Sequence, residues 1–259
     1  IYPEYKGTRK VKRRLNRNVD WGTAPADEQQ SMKQQMGRLI EYLEQLPLTL
    51  ICVDGIEADD TMAYISQQLL PKSDIMLMST DKDFLQLVDD RVKVWSPTKK
   101  KLYTKQVIQE EFGLPSRNML TYRILDGDKS DNIGGIQGAG LKTIIKHIPQ
   151  ITEDKDFTAK DLLEFVNNTD SKIKVLENIK KSSNLLKRNY LLMQLQNVDI
   201  PNHTKMKIQG AVNGDVPQLI KYKFQTMFLK DKLQTGIKNF DSWVMEFTRL
   251  DRFRGLSDR

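Results

Sequence analysis

The chain has 259 residues, of which 39% are hydrophobic and 29% are charged, and this is enough apolar material for one substantial core. The sequence contains no run of about 18 apolar residues and no secretory leader, so we expect a cytoplasmic protein without a membrane span. A net charge of +7 favours an anionic partner.

The first predicted elements are a basic segment and a helix. Seven basic residues and no acidic one lie between residues 6 and 17, and residues 5–18 are typical of a basic helix or a mobile arm. A loop over 18–25 is followed by a predicted amphipathic helix over 26–46, which Pro47 ends. The chain begins without a methionine and its first predicted strand comes only at residue 48, so we expect that a preceding N-terminal segment is missing.

Strands and helices then alternate. Apolar runs at 48–53, 75–78 and 92–95 predict three buried strands, and residues 57–70 predict a helix between the first two. Such alternation favours an α/β fold with a mainly parallel sheet covered by helices. Cys52 lies in the first run, so we expect a buried, inert thiol, and as the single cysteine it excludes an internal disulfide.

Residues from 104 onward are predicted to be helix and loop. Helices are indicated near 158–167 and over 171–195, and a glycine-dense turn lies at 134–140. The pattern of residues 200–242 predicts no particular element.

Carboxylates cluster at three points that follow predicted strands or helices. The seven acids concerned are Glu57, Asp59, Asp60, Asp81, Asp83, Asp128 and Asp131. The carboxyl ends of neighbouring parallel strands meet at one edge of a sheet, where open α/β folds place their sites. Carboxylates gathered there would repel one another unless cations were bound, and oxygen ligands favour two Mg²⁺ or Mn²⁺ ions about 4 Å apart. Solvated acids in turns and first helical turns are the alternative interpretation.

The glycine turn at 134–140 has two interpretations that involve phosphate. It nearly matches a P-loop, but Leu141 is inserted before Lys142 and no strand precedes the turn. A helix-hairpin-helix turn fits better, with Gly135, Gly138 and Gly140 admitting a phosphate and Lys142 adding charge. Such contacts would bind DNA without regard to sequence. An ordinary glycine-rich connection between helices is the alternative.

Four segments, taken in order, resemble the 5′ nuclease family. They are YPEYKGTR at 2–9, GIEADD at 55–60, STDKDF at 79–84 and GDKSDNIGGIQGAG at 127–140. The family includes the 5′-to-3′ exonuclease domain of bacterial DNA polymerase I, phage flap endonucleases and phage ribonuclease H, and the resemblance covers about residues 1–200. Family members also carry two aspartates upstream of the tyrosine-lysine motif, and this sequence contains neither.

The resemblance implies a PIN-like fold and a division of the chain into three regions. Residues 1–47 would be a basic arch or clamp, 48–115 the α/β core with helices on both faces of a mainly parallel sheet, and 116–259 an all-α part with the helix-hairpin-helix. A sliding clamp or a single-strand-binding protein could dock on residues 240–253, although these residues could equally pack onto the domain itself. A monomer is expected.

The resemblance also implies roles for individual residues. Asp60 and Asp81 would be catalytic, sharing one ion with Glu57 and Asp59, while the second ion would be held by Asp83, Asp128 and Asp131. Basic and aromatic residues would contact DNA, with a monovalent K⁺ at the hairpin turn. These residues are Tyr5, Lys6, Arg9, Lys10 and Arg13, of which Lys6 and Arg9 would contact the scissile phosphate.

The function that this resemblance implies is cleavage of phosphodiester bonds in DNA 5′ flaps, or at the 5′ ends of RNA/DNA duplexes, by two divalent ions during primer removal. Two other functions stay open from the residues alone. A catalytically inactive DNA-binding or scaffold module would use only the hairpin and the basic arm. A P-loop nucleotide hydrolase would use Lys142.

Overall fold

The computed structural model describes residues 2–7, 25–170 and 172–253. The chain forms two compact units. The described residues of the first unit are 2–7, 55–170 and 172–200, and those of the second are 25–54 and 201–253. The boundaries at 47 and 115 that the resemblance implies stay a prediction.

Helices account for most of the regular structure. In chain order they are α1 (Pro25–Leu43), α2 (Ala58–Tyr64), α3 (Lys105–Phe112), α4 (Met119–Asp126), α5 (Leu141–His147), α6 (Ala159–Asn168), α7 (Lys174–Lys181), α8 (Ser183–Met193), α9 (Asn202–Asn213), α10 (Lys221–Lys230) and α11 (Phe240–Asp251). A π-helical turn, Ile65–Leu69, extends α2, and short 3₁₀ helices span Lys82–Leu87, Ser116–Asn118 and Pro149–Thr152.

The sheet has three strands in the order β1 (Ile75–Met78), β2 (Val92–Ser96) and β3 (Lys101–Tyr103). β1 and β2 are parallel, as predicted, with Leu77 opposite Val94. β2 and β3 are antiparallel, with Trp95 opposite Leu102. The sheet is therefore mixed, and the prediction of a mainly parallel sheet missed β3, because a four-residue turn needs no crossover helix and lets the chain return beside β2.

The prediction of a strand at 48–53 is wrong. These residues have no regular secondary structure, and the sheet in the described part of the chain contains only β1, β2 and β3. An apolar run forms a strand only where another strand satisfies its backbone hydrogen bonds. Cys52 is exposed, so the prediction of a buried thiol is wrong for the same reason.

The other predicted elements are present with small shifts. The helix expected over 57–70 is α2 with its π-helical extension, and the helix near 158–167 is α6. α6 starts at a capping box in which the side chains of Thr158 and Asp161 each accept a hydrogen bond from the backbone N–H of the other residue. The helix expected over 171–195 is divided at Ser182 into α7 and α8.

α4 lies at the centre of the first unit. Residues 119–125 are all buried, and Ile124 and Leu125 are fully enclosed. α8 packs against α4 and adds a buried amide, because Nδ2 of Asn189 donates to the carbonyls of Ile124, at 3.0 Å, and Gly134, at 2.9 Å. These bonds fix the C-terminal end of α4 and the start of the glycine turn relative to each other.

The second unit is built around aromatic side chains. Tyr42, Leu46, Phe224 and Phe228 form its buried centre, with Phe240, Trp243 and Phe247 packed against them. Arg38 Nε and the hydroxyl of Tyr42 both donate to Oδ2 of Asp231, at 2.6 and 2.7 Å. Phe240, Trp243 and Phe247 thus pack within this unit, as the simpler of the two interpretations expected, whereas Phe253 is exposed. Docking of a replication partner there stays a prediction.

Within the described residues, no helix combines the length and the apolar character that a membrane crossing requires.

Candidate metal centre

The first two of the three carboxylate groups are positioned by the start of α2 and by the end of β1. Glu57 is the N-cap residue of α2, and Asp59 and Asp60 lie in the first turn of that helix. Asp81 follows β1 and caps the 3₁₀ helix Lys82–Leu87, where its Oδ1 accepts a hydrogen bond of 2.8 Å from the backbone N–H of Asp83. The carboxyl end of β1 and the start of α2 therefore supply five acids.

The third group comes from a tight loop after α4. Asp128 and Ile133 exchange two backbone hydrogen bonds of 2.9 and 2.7 Å, which close the loop. The carboxylate of Asp128 is oriented by Ser130, whose backbone N–H and hydroxyl donate to Oδ1 at 2.7 and 2.5 Å. The loop holds Asp128 on the side of β1 where Asp81 emerges, because both line a cavity of about 560 Å³.

The three groups converge. A second cavity of about 310 Å³ is lined by six of the seven predicted acids, namely Glu57, Asp59, Asp60, Asp81, Asp83 and Asp131. The seventh, Asp128, joins through its neighbours, because Asp81, Asp83 and Asp128 each offer one carboxylate oxygen within 4.8 Å of the other two. Oxygen donors at this spacing suit a hard divalent cation such as Mg²⁺ or Mn²⁺.

A buried arginine lies among these acids. Arg123 of α4 is 4% exposed; its Nε donates to Asp83 Oδ1 at 2.8 Å and its Nη2 to Asp128 Oδ2 at 2.7 Å. Arg123 was not among the predicted site residues, although an arginine inside an otherwise apolar helix, one turn before an acidic loop, indicates a buried ion pair. A guanidinium in such a helix must find carboxylate or carbonyl partners if it is buried.

The electrostatics of the site favour a bound cation. Burial, and after it the charges of Asp81 and Glu57, raises the pKa of Asp59, and burial followed by the charge of Glu57 raises the pKa of Asp60. Burial also raises the pKa of Asp83 to about 6, against the opposing effect of Arg123. Burial opposes ionisation of Asp128 as well, but hydrogen bonds from Ser130 and the charge of Arg123 outweigh it and lower that pKa.

The raised pKa of Asp83 predicts a pH effect on the metal-free protein. Between pH 3.8 and about pH 6 the carboxyl group of Asp83 binds a proton more tightly in the folded protein than in the unfolded chain. The stability that Asp83 contributes is therefore lost as the pH rises through about 6. Asp83→Asn does not titrate. In EDTA, the unfolding free energy of the wild type relative to Asp83→Asn should fall by up to about 3 kcal/mol between pH 3.5 and 7.5. Parallel urea-unfolding curves across this range would contradict the prediction.

The segment that precedes the basic stretch is attached to the acidic loop. The backbone N–H of Lys6 donates to the carbonyl of Asp131 at 3.0 Å, the hydroxyl of Tyr2 donates to the carbonyl of Asn132 at 3.0 Å, and Asn132 Nδ2 donates to the carbonyl of Glu4 at 3.0 Å. The start of the basic stretch is therefore held beside the acidic cavity.

Tyr5 and Lys6 face the acids directly. Tyr5 lines the smaller cavity, and its hydroxyl lies 3.4 Å from Glu57 Oε2. Lys6 Nζ forms an ion pair with the same carboxylate oxygen, which leaves its ammonium at the rim of the cavity. Arg9, Lys10 and Arg13, the other basic residues predicted to contact DNA, lie outside the described residues.

The glycine turn joins α4 to α5, and Gly135, Gly138, Gly140 and Lys142 are all exposed along it. Gly138 has a φ of +84°, which favours glycine, and Gly140 is the N-cap residue of α5. Because helix α4 rather than a strand precedes the turn, the arrangement lacks the strand of a P-loop. It is a helix–turn–helix connection, and residues 134–140 line neither acidic cavity, whereas the loop before them, residues 127–133, contributes to both.

Known proteins resemble the chain over most of this region. Residues 1–113 match the model of the 5′-3′ exonuclease N-terminal resolvase-like domain. A 5′-3′ exonuclease of Buchnera aphidicola is 31% identical over 183 residues, which are 67% of this chain and 60% of the relative. The chain thus spans less than two thirds of that relative's length.

Solved structures show a similar fold. The D15 protein of phage T5, crystallised with metal ions, has a TM-score of 0.60 and 25% identity, covering 90% of this chain and 78% of its own. The T5 D15 flap endonuclease in a complex with DNA and metal ions has a TM-score of 0.59 and 25% identity, covering 88% of this chain and 76% of its own. The predicted α/β fold of the PIN-like 5′ nucleases is confirmed. The sequence motifs, the fold and these matches all support a relationship between this chain and the 5′ nuclease family.

Proposed function

We propose that the protein is a structure-specific 5′ nuclease that hydrolyses phosphodiester bonds in DNA flaps, or at the 5′ ends of RNA/DNA duplexes, during primer removal in replication or repair. The observation that carries this proposal is the convergence of carboxylates from three segments on one cavity, with Lys6 at its rim. Acids alone would bind cations, and a lysine alone would bind a phosphate. Side by side, the acids complement the charge of the metal ions and the lysine complements the charge of the scissile phosphate.

Two ions of Mg²⁺ or Mn²⁺ fit the donor set. We infer that Glu57, Asp59, Asp60 and Asp81 hold one ion, and that Asp83, Asp128 and Asp131 hold the other, in part through water. Asp81 of the first set and Asp83 and Asp128 of the second offer oxygens within 4.8 Å of one another, which supports two ions held close together. When bound, the ions supply positive charge to the attacking and leaving oxygens of the phosphate.

The side chains of the protein supply the remaining charge and the substrate contacts. The ammonium of Lys6 stabilises negative charge on the phosphate, a role that Arg9 shares in the proposal, and the ring of Tyr5 stacks on a base beside the cavity. The exposed glycines of the turn and Lys142 bind duplex phosphates, with K⁺ at the turn. Lys10 and Arg13 extend the basic path for a single strand. The T5 relative that was solved with DNA and metal ions supports DNA as the partner.

The deciding experiment compares branched substrates. The protein should cleave a 5′-flap duplex near the junction in Mg²⁺ or Mn²⁺, leave the matching 3′-flap duplex intact, and lose its activity in EDTA. A protein that binds the 5′ flap without cleaving it, and whose bound complex holds no divalent ion, is instead a DNA-binding module. An RNA primer annealed to DNA, tested in parallel, measures how the activity divides between the two substrates.

Removing the charge of Lys6 should slow the chemical step. In Lys6→Gln the phosphate loses one cationic contact that strengthens as negative charge develops, so single-turnover cleavage of a 5′ flap should be about 100- to 1,000-fold slower. The dissociation constant for the flap in Ca²⁺ should change far less. Lys72→Gln is the control, because Lys72 is exposed in the same unit and lies before the start of β1, whereas Asp81 follows its end. A wild-type rate for Lys6→Gln would remove Lys6 from the proposed mechanism.

A further inference from the structure

Arg123 is the most completely buried charge in the described acidic site. Its side chain is 5% exposed, while those of its partners Asp83 and Asp128 are 18% and 17% exposed. A guanidinium removed from water must have its N–H groups satisfied. Arg123 achieves this with the two carboxylates and with the carbonyl of Gly127, to which Nη1 donates at 3.1 Å.

The two carboxylates that Arg123 binds come from different parts of the fold. Asp83 lies in the 3₁₀ helix after β1, and Asp128 lies in the loop after α4. The planar guanidinium binds one through Nε and the other through Nη2, so its rigid geometry fixes the distance and the relative orientation of the two side chains. A lysine in this place would keep the charge but could not impose that geometry.

The same two carboxylates are the ones that, with Asp81, present oxygens within 4.8 Å of one another. Asp81 is oriented separately, through the backbone N–H of Asp83. Asp128 is held on its other oxygen by Ser130. Among the described residues, Arg123 alone donates side-chain hydrogen bonds to both Asp83 and Asp128. It therefore joins the two segments of the cluster.

We propose that Arg123 is a positioning residue that holds Asp83 and Asp128 in the arrangement that binds a divalent cation. The inference rests on the proposed function in so far as that function requires the ion, but it concerns the ligands and not the cleavage. The competing explanation is purely structural: the ion pairs attach α4 to the 3₁₀ helix, and the metal affinity does not depend on them.

The test measures Mn²⁺ binding without DNA, for example from the free-ion electron paramagnetic resonance signal, together with thermal unfolding in EDTA. Arg123→Lys is the deciding variant because it retains the charge, and Arg123→Met removes it. In Arg123→Lys the Mn²⁺ dissociation constant should rise about 10- to 100-fold, as when other residues that orient metal ligands are replaced. Wild-type affinity in a folded Arg123→Lys would overturn the proposal, even if the unfolding temperature fell.

Arg117→Lys is the matched control. Arg117 lies six residues earlier, is 46% exposed, and pairs at 3.5 and 3.7 Å with Asp154 and Asp156, which do not line either acidic cavity. Its variant should bind Mn²⁺ as the wild type does. An equal loss of affinity in Arg117→Lys would show a general effect of losing an ion pair and would overturn the proposal.

A second variant covers the case in which the Arg123 variants do not fold. Ser130 is exposed, so Ser130→Ala should fold, and it removes the hydroxyl that orients the other oxygen of Asp128. If orientation of Asp128 controls the ion, Mn²⁺ binding should weaken several-fold; unchanged binding would overturn the proposal. A wild type that binds Mn²⁺ but cleaves no flap refutes the proposed function and leaves this inference standing. A wild type that binds no Mn²⁺ refutes both.

Discussion

Asp81→Asn should abolish Mg²⁺-dependent cleavage of a 5′ flap and leave DNA binding intact. Asp81 lines both acidic cavities, and one of its oxygens lies within 4.8 Å of oxygens of Asp83 and Asp128. The amide has a similar shape but no charge, so it holds a divalent ion weakly. A bound ion contributes several kcal/mol to stabilising the transition state, and we expect a loss of about 1,000-fold or more in the single-turnover rate.

Asp90→Asn provides the control for this experiment. It is the same substitution in the same unit, at a side chain that is 90% exposed, is paired with Lys105 and is absent from both cavities. It should cleave at the wild-type rate. Fluorescence anisotropy of a labelled flap in Ca²⁺ measures binding for both variants. Residual activity of Asp81→Asn above about one tenth of wild type would contradict the assignment of Asp81 as a metal ligand.

Gly135→Ala should destabilise the first unit strongly. A Cβ built on Gly135 would lie 2.1 Å from the carbonyl oxygen of Asp126 and 2.7 Å from that of Leu125, and both atoms belong to the backbone at the end of α4. Neither can move without disturbing the buried end of that helix, so relief requires a backbone shift. Overpacking of this kind costs about 1–3 kcal/mol, and we expect the upper part of that range in urea unfolding.

Gly134→Ala is the matched control one residue earlier. A Cβ on Gly134 meets no atom within 4 Å, and its φ lies outside the left-handed range. The variant should stay within about 0.5 kcal/mol of the wild type. Equal stabilities of the two variants would contradict the packing argument. If Gly135→Ala kept its stability and lost only DNA affinity, Gly135 would instead act at the phosphate, as the glycine motif predicted.

The sequence motif singled out Gly135, but the packing that requires a glycine there was not predicted. Gly135, Gly138 and Gly140 were all predicted from the sequence to admit a phosphate. The structure shows that Gly135 is required by contact with α4, while Gly138 has both a positive φ and open space around it. The return of this loop onto the end of α4 depends on tertiary packing, and sequence spacing does not reveal it.

The positions of Asp81 and Asp83 were predictable because these residues follow the end of a strand. The apolar run at 75–78 is β1, and Asp81 and Asp83 follow it. The equally apolar run at 48–53 has no regular structure, because strand formation depends on a pairing partner that local composition does not identify. The bond from Arg123 to both acidic segments could not be predicted either, since it requires the fold to bring α4 beside β1.

The second unit was the least predictable part of the chain. α9 and α10 lie within residues 200–242, for which the sequence pattern predicted no element. Their buried faces are narrow: Thr204 and Ile208 are buried on α9, and Phe224 and Phe228 on α10. With so few buried positions per helix, the periodicity of apolar residues is too weak to distinguish a helix from a loop.

The backbone bond between Lys6 and Asp131 has a consequence for where a strand would be cut. The bond attaches Lys6, where the basic stretch begins, to Asp131, which lines the smaller acidic cavity. The distance between the basic stretch and the cavity is therefore set by the main chain and not by long side chains. Substitutions among the later basic residues, from Arg9 to Arg17, would then change how often a strand is captured. The nucleotide at which it is cut would stay the same.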